Sequence, residues 1–145
     1  MNTPEKLTAS AAALLTDGEG RLLVVKPTYK SGWNLPGGHV DEGETPRDAC
    51  RRELREELAL DVEPGRLLVH AFMAGHGRSH VYYVFEGGAL TSEQQGSIVL
   101  QEEELAEYRF IAELPVEDIP APLRPAWDAV MQARADGEST YLELR

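Results

Sequence analysis

The chain has 145 residues, 42% hydrophobic and 27% charged, with 25 acidic against 14 basic side chains and a formal net charge of -11. That balance excludes the basic footprint of an extended nucleic-acid surface, and no apolar run approaches the ~20 residues of a spanning helix, so neither a nucleic-acid polymer nor a membrane is expected as partner. One domain over residues 1–145 is expected in the cytoplasm, because the run Ala9 to Leu15 lacks the basic front and cleavage site of a secretory signal, and the lone Cys50 excludes an internal disulfide framework.

In chain order, Thr8 to Thr16 is small and apolar, Asp17-Gly18-Glu19-Gly20 breaks it, and Arg21 to Lys26 follows. This pattern predicts a hairpin. Residues 27–32 form a polar loop in which Lys26 and Lys30 read as solvated lysines that could also meet a phosphate. Gly37-Gly38 predict a tight turn, and Thr45-Pro46 predict a helix start, with threonine as cap, proline in the first turn and Asp48 facing the positive end of the dipole. The helix is expected to run to Leu58. Its stripe Cys50, Leu54 and Leu58 is assigned to the core, Cys50 as packing rather than nucleophile, while Arg51 and Arg55 face water.

Val62 to Met73 and Val81 to Glu86 read as strands, separated by a flexible loop, Gly75 to His80, whose Arg78, His76 and His80 could reach a substrate. Gly87 to Ser97 reads as a polar connector, and Gln101 to Glu104 as an acidic turn ahead of a strand from Glu107 to Ile111. Pro115, Pro120, Pro122 and Pro125 mark an irregular segment. Pro125 to Ala135 has helical spacing, with Trp127, Val130 and Met131 facing the core, and Gly137 ends it ahead of a short element, Thr140 to Leu144.

The chemistry concentrates between Gly37 and Leu60. Glu53, Glu56 and Glu57 lie at i, i+3 and i+4 and repel one another unless compensated; as a merely solvated face they would be balanced by Arg52 and Arg55. With Gly37, Gly38, Asp41, Glu42 and Glu44 added, oxygens converge beside a glycine turn, the arrangement a hard divalent cation requires. A small phosphorylated substrate fits an acidic protein if cations stand between its phosphates and the carboxylates.

Gly38, Glu44, Arg52-Glu53-Leu54, Glu56-Glu57 and Leu60 stand at offsets that resemble the Nudix box, with Ala59 where that family has glycine. Alanine there is expected to strain or extend the helix end at a cost of ~1 kcal/mol. The resemblance implies an α/β Nudix fold, a mixed β-sheet sandwiched between α-helices. It also implies Mg²⁺- or Mn²⁺-dependent hydrolysis of a nucleoside diphosphate linked to another moiety. Carried over to this chain, Glu56 and Glu57 are the main metal ligands, with the carbonyl of Gly37 or Gly38 completing the set. Glu53 is a further ligand or the general base, Arg52 orients the glutamates, and Glu44 is its partner. A further glutamate from a later loop is expected, Glu104 first and Glu103 second. No ADP-ribose, diadenosine, NADH or coenzyme A signature of the family stands downstream, which leaves a nucleoside triphosphate, oxidised forms included, as the leading substrate. A catalytically silent nucleotide-binding module is the alternative, an isoprenoid diphosphate isomerase a minor third option, and a homodimer is an open assembly state.

Overall fold

The computed structural model describes residues 5–119 and 124–145, so the expectations at Pro120 and Pro122 lie outside the described residues. Its elements are β1 (Lys6–Thr16), β2 (Leu22–Pro27), β3 (Gly37–His39), α1 (Pro46–Leu58), β4 (Leu67–Met73), β5 (Arg78–Ala89), α2 (Ser92–Gly96), β6 (Leu105–Ile111), α3 (Arg124–Asp136) and β7 (Thr140–Leu144). A short 3-10 turn, Val116–Asp118, precedes α3.

The strands form one mixed sheet in the order β6-β2-β1-β5-β4-β7, with β3 beside β1. β1 runs parallel to β5 along most of its length, while β5 and β4 are antiparallel and β4 and β7 parallel. β1 explains why the sheet is covered on both sides. Ala11 to Leu15 are all nearly inaccessible, and because successive side chains of a strand point to opposite faces, Ala11, Ala13 and Leu15 join Cys50, Leu54 and Leu58 of α1. Ala12 and Leu14 join Ala126, Val130 and Ala133 of α3. A continuous apolar run is what a strand buried on both faces needs.

The expected hairpin is present but short. β1 and β2 pair only at Thr16 and Leu22. The turn between them is held by Asp17, whose carboxylate accepts from the Glu19 and Arg21 amides, each at 2.9 Å, and from Arg21 Nε at 2.7 Å. Beyond that point the two strands diverge, and residues 34–40 fill the wedge. Asn34 exchanges both backbone hydrogen bonds with Val25, the Ala13 amide donates to the Pro36 carbonyl, and Gly37 to His39 pair antiparallel with Ser10 to Ala12. Gly37-Gly38 are therefore not the turn that glycine pairs suggest but a strand against the most buried part of the sheet. A Cβ at Gly37 would overlap the Ala11 carbonyl oxygen and Ala12.

Helix α1 begins and ends where its residues dictate. Thr45 accepts from the Asp48 amide while Asp48 accepts from the Thr45 amide, a complete capping box with Pro46 in the first turn. At the other end Ala59 takes a left-handed conformation, φ 57° and ψ 30°. The Leu60 amide reaches the Leu54 carbonyl at 3.2 Å, and both leucines are buried in one cluster, a Schellman-type closure. Alanine thus does not extend the helix; it accepts the strain that glycine would avoid.

Three local expectations differ. The strand expected over Val62 to Met73 starts at Leu67, after residues 61–65 run without regular structure, Val62 and Pro64 buried. Arg78, Ser79 and His80 belong to β5 rather than to a flexible loop, because they continue the parallel ladder with Lys6, Leu7 and Thr8. The supposed connector Gly87 to Ser97 completes β5 and forms α2, which Thr91 caps through its own capping box with Gln94.

Candidate active site

Arg52 is the hub on the outer face of α1. Its Nε and Nη2 reach the two carboxylate oxygens of Glu44 at 2.8 and 3.0 Å, its Nη1 reaches Glu53 at 2.9 Å and Glu56 at 3.2 Å, and its Nη2 also meets Asp41 at 3.3 Å and the His39 carbonyl at 2.9 Å. A planar guanidinium with five donors can hold so many oxygens where an ammonium could not. Hydrogen bonding from Arg52, then from the Asp41 amide, keeps Glu44 ionised below the usual carboxylate range. Glu42 is exposed. Arg55, expected to help neutralise the acidic face, pairs instead with Asp61 at 3.0 Å, which it shares with Arg51.

The inner pair behaves differently. Glu57 is 93% buried by surface area, with 7% exposed, and burial, then the neighbouring Glu53 charge, pushes its carboxyl up to about 8. Glu53 is raised by burial as well, with Arg52 opposing the shift. The two carboxyls lie near enough to shift one another, and the Gly37 amide lies 3.4 Å from Glu57 Oε2. Gly38 is pressed against Glu53, since a Cβ there would fall 2.6 Å from Glu53 Oε1. Gly38 thus lets the backbone approach Glu53 directly, while Gly37 lets it approach Ala11 and Ala12. Among the described residues, no three carboxylate, imidazole or thiol side chains are already gathered round one point, and Glu56 is half-exposed and turned to Arg52. The donor set nevertheless suits a hard cation: the charge of Glu53 raises the proton affinity of Glu57, a divalent ion would relieve that repulsion, and oxygen atoms are its preferred ligands.

Glu104 comes near because two segments are tied to α1 and β2. The Gln101 amide donates to the Glu57 carbonyl at 2.9 Å, and the Thr28 amide and hydroxyl donate to the Glu104 and Glu103 carbonyls at 2.9 and 3.0 Å. The Glu104 charge contributes to raising Glu57. Glu103 and Glu104 are both exposed. Cys50 is fully buried, and burial pushes its thiol up to about 12, consistent with packing.

On the other side of β3 lies a cavity of about 280 Å³ that reaches Gly37 and Gly38. Its walls include Ser10, Tyr29, Lys30, Asn34, His80 and Tyr82. Tyr29 is largely exposed, and its hydroxyl is pushed up by desolvation and then by the charges of Glu104, Glu57 and Glu53. Lys30 sits 5.7 Å from the Tyr29 ring. His80 joins the cavity, whereas His76 and Arg78 are exposed at the sheet end. Sequence reasoning passed over Ser10, Tyr29, Asn34 and Tyr82 as members of this site. Ser10 carried a readable signal, a hydroxyl next to the apolar run Ala11 to Leu15; the others did not, since only the wedge of residues 34–40 brings them together.

A family profile for the NUDIX domain matches residues 6–134. Among curated relatives, an 8-oxo-dGTP diphosphatase from Proteus vulgaris is 32% identical over 94 residues, 60% of this chain and 84% of that protein. The human 8-oxo-dGDP phosphatase NUDT18 is 33% identical over 115 residues, 78% of this chain and 33% of that protein. An RNA pyrophosphohydrolase from Hydrogenovibrio crunogenus is 40% identical over 55 residues, 38% of this chain and 33% of that protein. For the last two, the matched stretch is thus about a third of the relative's length. Among solved structures, a MutT protein from Methanosarcina mazei Go1 superposes with a TM-score of 0.72 at 21% identity, covering 95% of this chain and all of that one. A MutT NUDIX hydrolase from Burkholderia pseudomallei gives 0.66 at 26% identity, covering 88% and 98%.

Proposed function

The chain belongs to the Nudix hydrolase family, and on that premise we propose that it hydrolyses a phosphoanhydride bond in a nucleoside diphosphate derivative, with a nucleoside triphosphate or its oxidised form as leading substrate. One observation carries the reading: a buried Glu57 beside a part-buried Glu53, which Arg52 aligns and Gly38 abuts, lies across one short strand from a cavity with aromatic and amide walls. The 8-oxo-dGTP diphosphatase relative supports the oxidised-nucleotide option.

Glu53, Glu56, Glu57 and the carbonyl of Gly37 or Gly38 would hold Mg²⁺ or Mn²⁺, with Glu104 as a further ligand. When bound, such an ion neutralises the diphosphate and lowers the pKa of a coordinated water. The protein's own part is positional. Arg52 fixes the direction of Glu53 and Glu56, and Glu44 with Asp41 fixes Arg52. Glu53, or Glu104 from its loop, accepts the proton of the attacking water as the new phosphorus–oxygen bond forms and the bridging bond breaks. The leaving phosphate or pyrophosphate departs with that bond's electron pair. Lys30 offers a cation at the mouth of the cavity, and Tyr29 offers a ring to a base.

The test is a hydrolysis screen over nucleoside triphosphates, 8-oxo-dGTP, ADP-ribose, dinucleotides and nucleotide sugars, with Mg²⁺ and with excess chelator. Turnover of at least one nucleotide that stops in chelator is expected. Full turnover in chelator would overturn the metal assignment, and no turnover of any member would favour a silent binding module.

A further inference from the structure

His80 has both ring nitrogens engaged by hydroxyls of the neighbouring strand: Nδ1 lies 2.7 Å from Thr8 Oγ1 and Nε2 2.8 Å from Ser10 Oγ. The parallel register pairs Thr8 with His80 directly, so backbone hydrogen bonding holds the three groups in line. Burial and the adjacent His39 ring, 6.0 Å away and edge-on, favour the neutral imidazole. A neutral imidazole has one N–H and one lone pair, whereas each hydroxyl can give or take.

Only two arrangements satisfy that row. In one, Nε2–H donates to Ser10 and Thr8 donates to Nδ1, which leaves the Ser10 hydrogen free to point into the cavity. In the other, Ser10 donates to Nε2 and Nδ1–H donates to Thr8, which leaves Ser10 oxygen lone pairs facing the cavity. Both keep every nitrogen paired, so they differ little in energy. Ser10 and His80 both line the cavity beside Gly37-Gly38.

We propose that the Thr8–His80–Ser10 row is an adaptable reader of the nucleobase edge, presenting a donor or an acceptor at Ser10 as the ligand requires, so that the site takes both 6-oxo and 6-amino purines. This rests on the cavity being the nucleoside site of the proposed hydrolase. Breadth then follows from the histidine's freedom to move its proton between nitrogens, where a fixed amide would discriminate.

The test uses inosine and adenosine 5′-monophosphate with Mg²⁺, two ligands whose 6-position and N1 exchange donor for acceptor and which contain no phosphoanhydride bond. ¹⁵N spectra of the His80 ring should show the proton on different nitrogens in the two complexes, with dissociation constants within about tenfold. Ser10→Ala should weaken both. Thr8→Val should favour the tautomer that keeps Nε2–H bonded, because an orphaned N–H costs more than an orphaned lone pair, and so shift the affinity ratio by about two- to tenfold. The same tautomer in both complexes, ring signals unmoved by either ligand, or a wild-type preference beyond about a hundredfold would overturn the proposal. Because neither ligand can be hydrolysed at an anhydride, a negative hydrolysis screen leaves this readout intact, and a failed readout leaves the hydrolase reading intact.

Discussion

Across β3 the molecule changes character. On the α1 side, charged groups are crowded: Arg52 holds Glu44, Glu53, Glu56 and Asp41, and Glu57 is buried against Glu53. On the cavity side, the polar groups apart from Lys30 are neutral or adaptable, among them Ser10, Asn34, His80 and Tyr82. A charged cluster has one low-energy arrangement and is intolerant of change, because removing a partner leaves a charge without compensation. Neutral hydroxyl, amide and imidazole groups can exchange partners at little cost. The charged side therefore suits a fixed reaction, and the neutral side a choice of ligand.

The largest expected effect breaks the charged side. Glu57→Gln should lower hydrolysis by about 10³-fold, the several kcal/mol that a metal ligand supplies to the transition state, as read by phosphate release. The same variant has a stability signature. The folded carboxyl of Glu57 stands at about 8, above its ordinary value of 4.5, so the stability it contributes is fully present below pH 4.5 and is lost as pH rises through 8. Chelator-treated wild type should therefore be less stable at pH 8.5 than at pH 5, and Glu57→Gln should flatten that slope. Equal slopes in denaturant titrations of the two proteins would count against a crowded carboxyl pair.

A smaller loss is expected from Arg52→Ala, about 10- to 100-fold in turnover, since in the proposed mechanism Arg52 would orient the ligands rather than hold the metal. Separate measurement of metal affinity and kcat would show both falling; a change in nucleotide affinity alone would place Arg52 on the wrong side of the comparison. Gly37→Ala probes the boundary. Its Cβ overlaps the Ala11 carbonyl, so a loss of at least about 2 kcal/mol in unfolding free energy is expected, and an unchanged denaturation midpoint would mean that β3 is not packed as described. The smallest effect lies away from both regions: Ala59→Gly should stabilise the fold by about 1 kcal/mol by relieving the left-handed alanine, with hydrolysis unchanged.

How far the site was legible depends on which interactions are local. The Thr45 cap with Asp48 in the first turn, the apolar stripe of Cys50, Leu54 and Leu58, and the i, i+3, i+4 spacing of Glu53, Glu56 and Glu57 lie within one helix, where sequence distance sets spatial distance. The Arg52 to Glu44 pairing came from the family resemblance and is present at 2.8 Å. Gly37-Gly38 were misread as a turn because glycine pairs usually mark one. Here the lack of a Cβ serves close approach on both sides, to Ala11 and Ala12 on one and to Glu53 on the other. His80 was placed in a loop because nearby glycines suggested one, whereas its partners Thr8 and Ser10 stand some seventy residues earlier in the chain.

By itself, the sequence determined the helix with its carboxylates, its arginine and its caps, because those depend on residues three to eight positions apart. It also marked Thr8 to Thr16 as a small apolar segment, although burial of that strand on both faces emerged only with the sheet. Only the tertiary structure decided that β1 and β2 diverge after one pair, that residues 34–40 enter the gap, and that Ser10, Tyr29, Asn34 and His80 then surround one cavity beside the carboxylates. Those contacts join segments far apart in the chain through backbone pairing, and no local spacing records which strand will lie beside which.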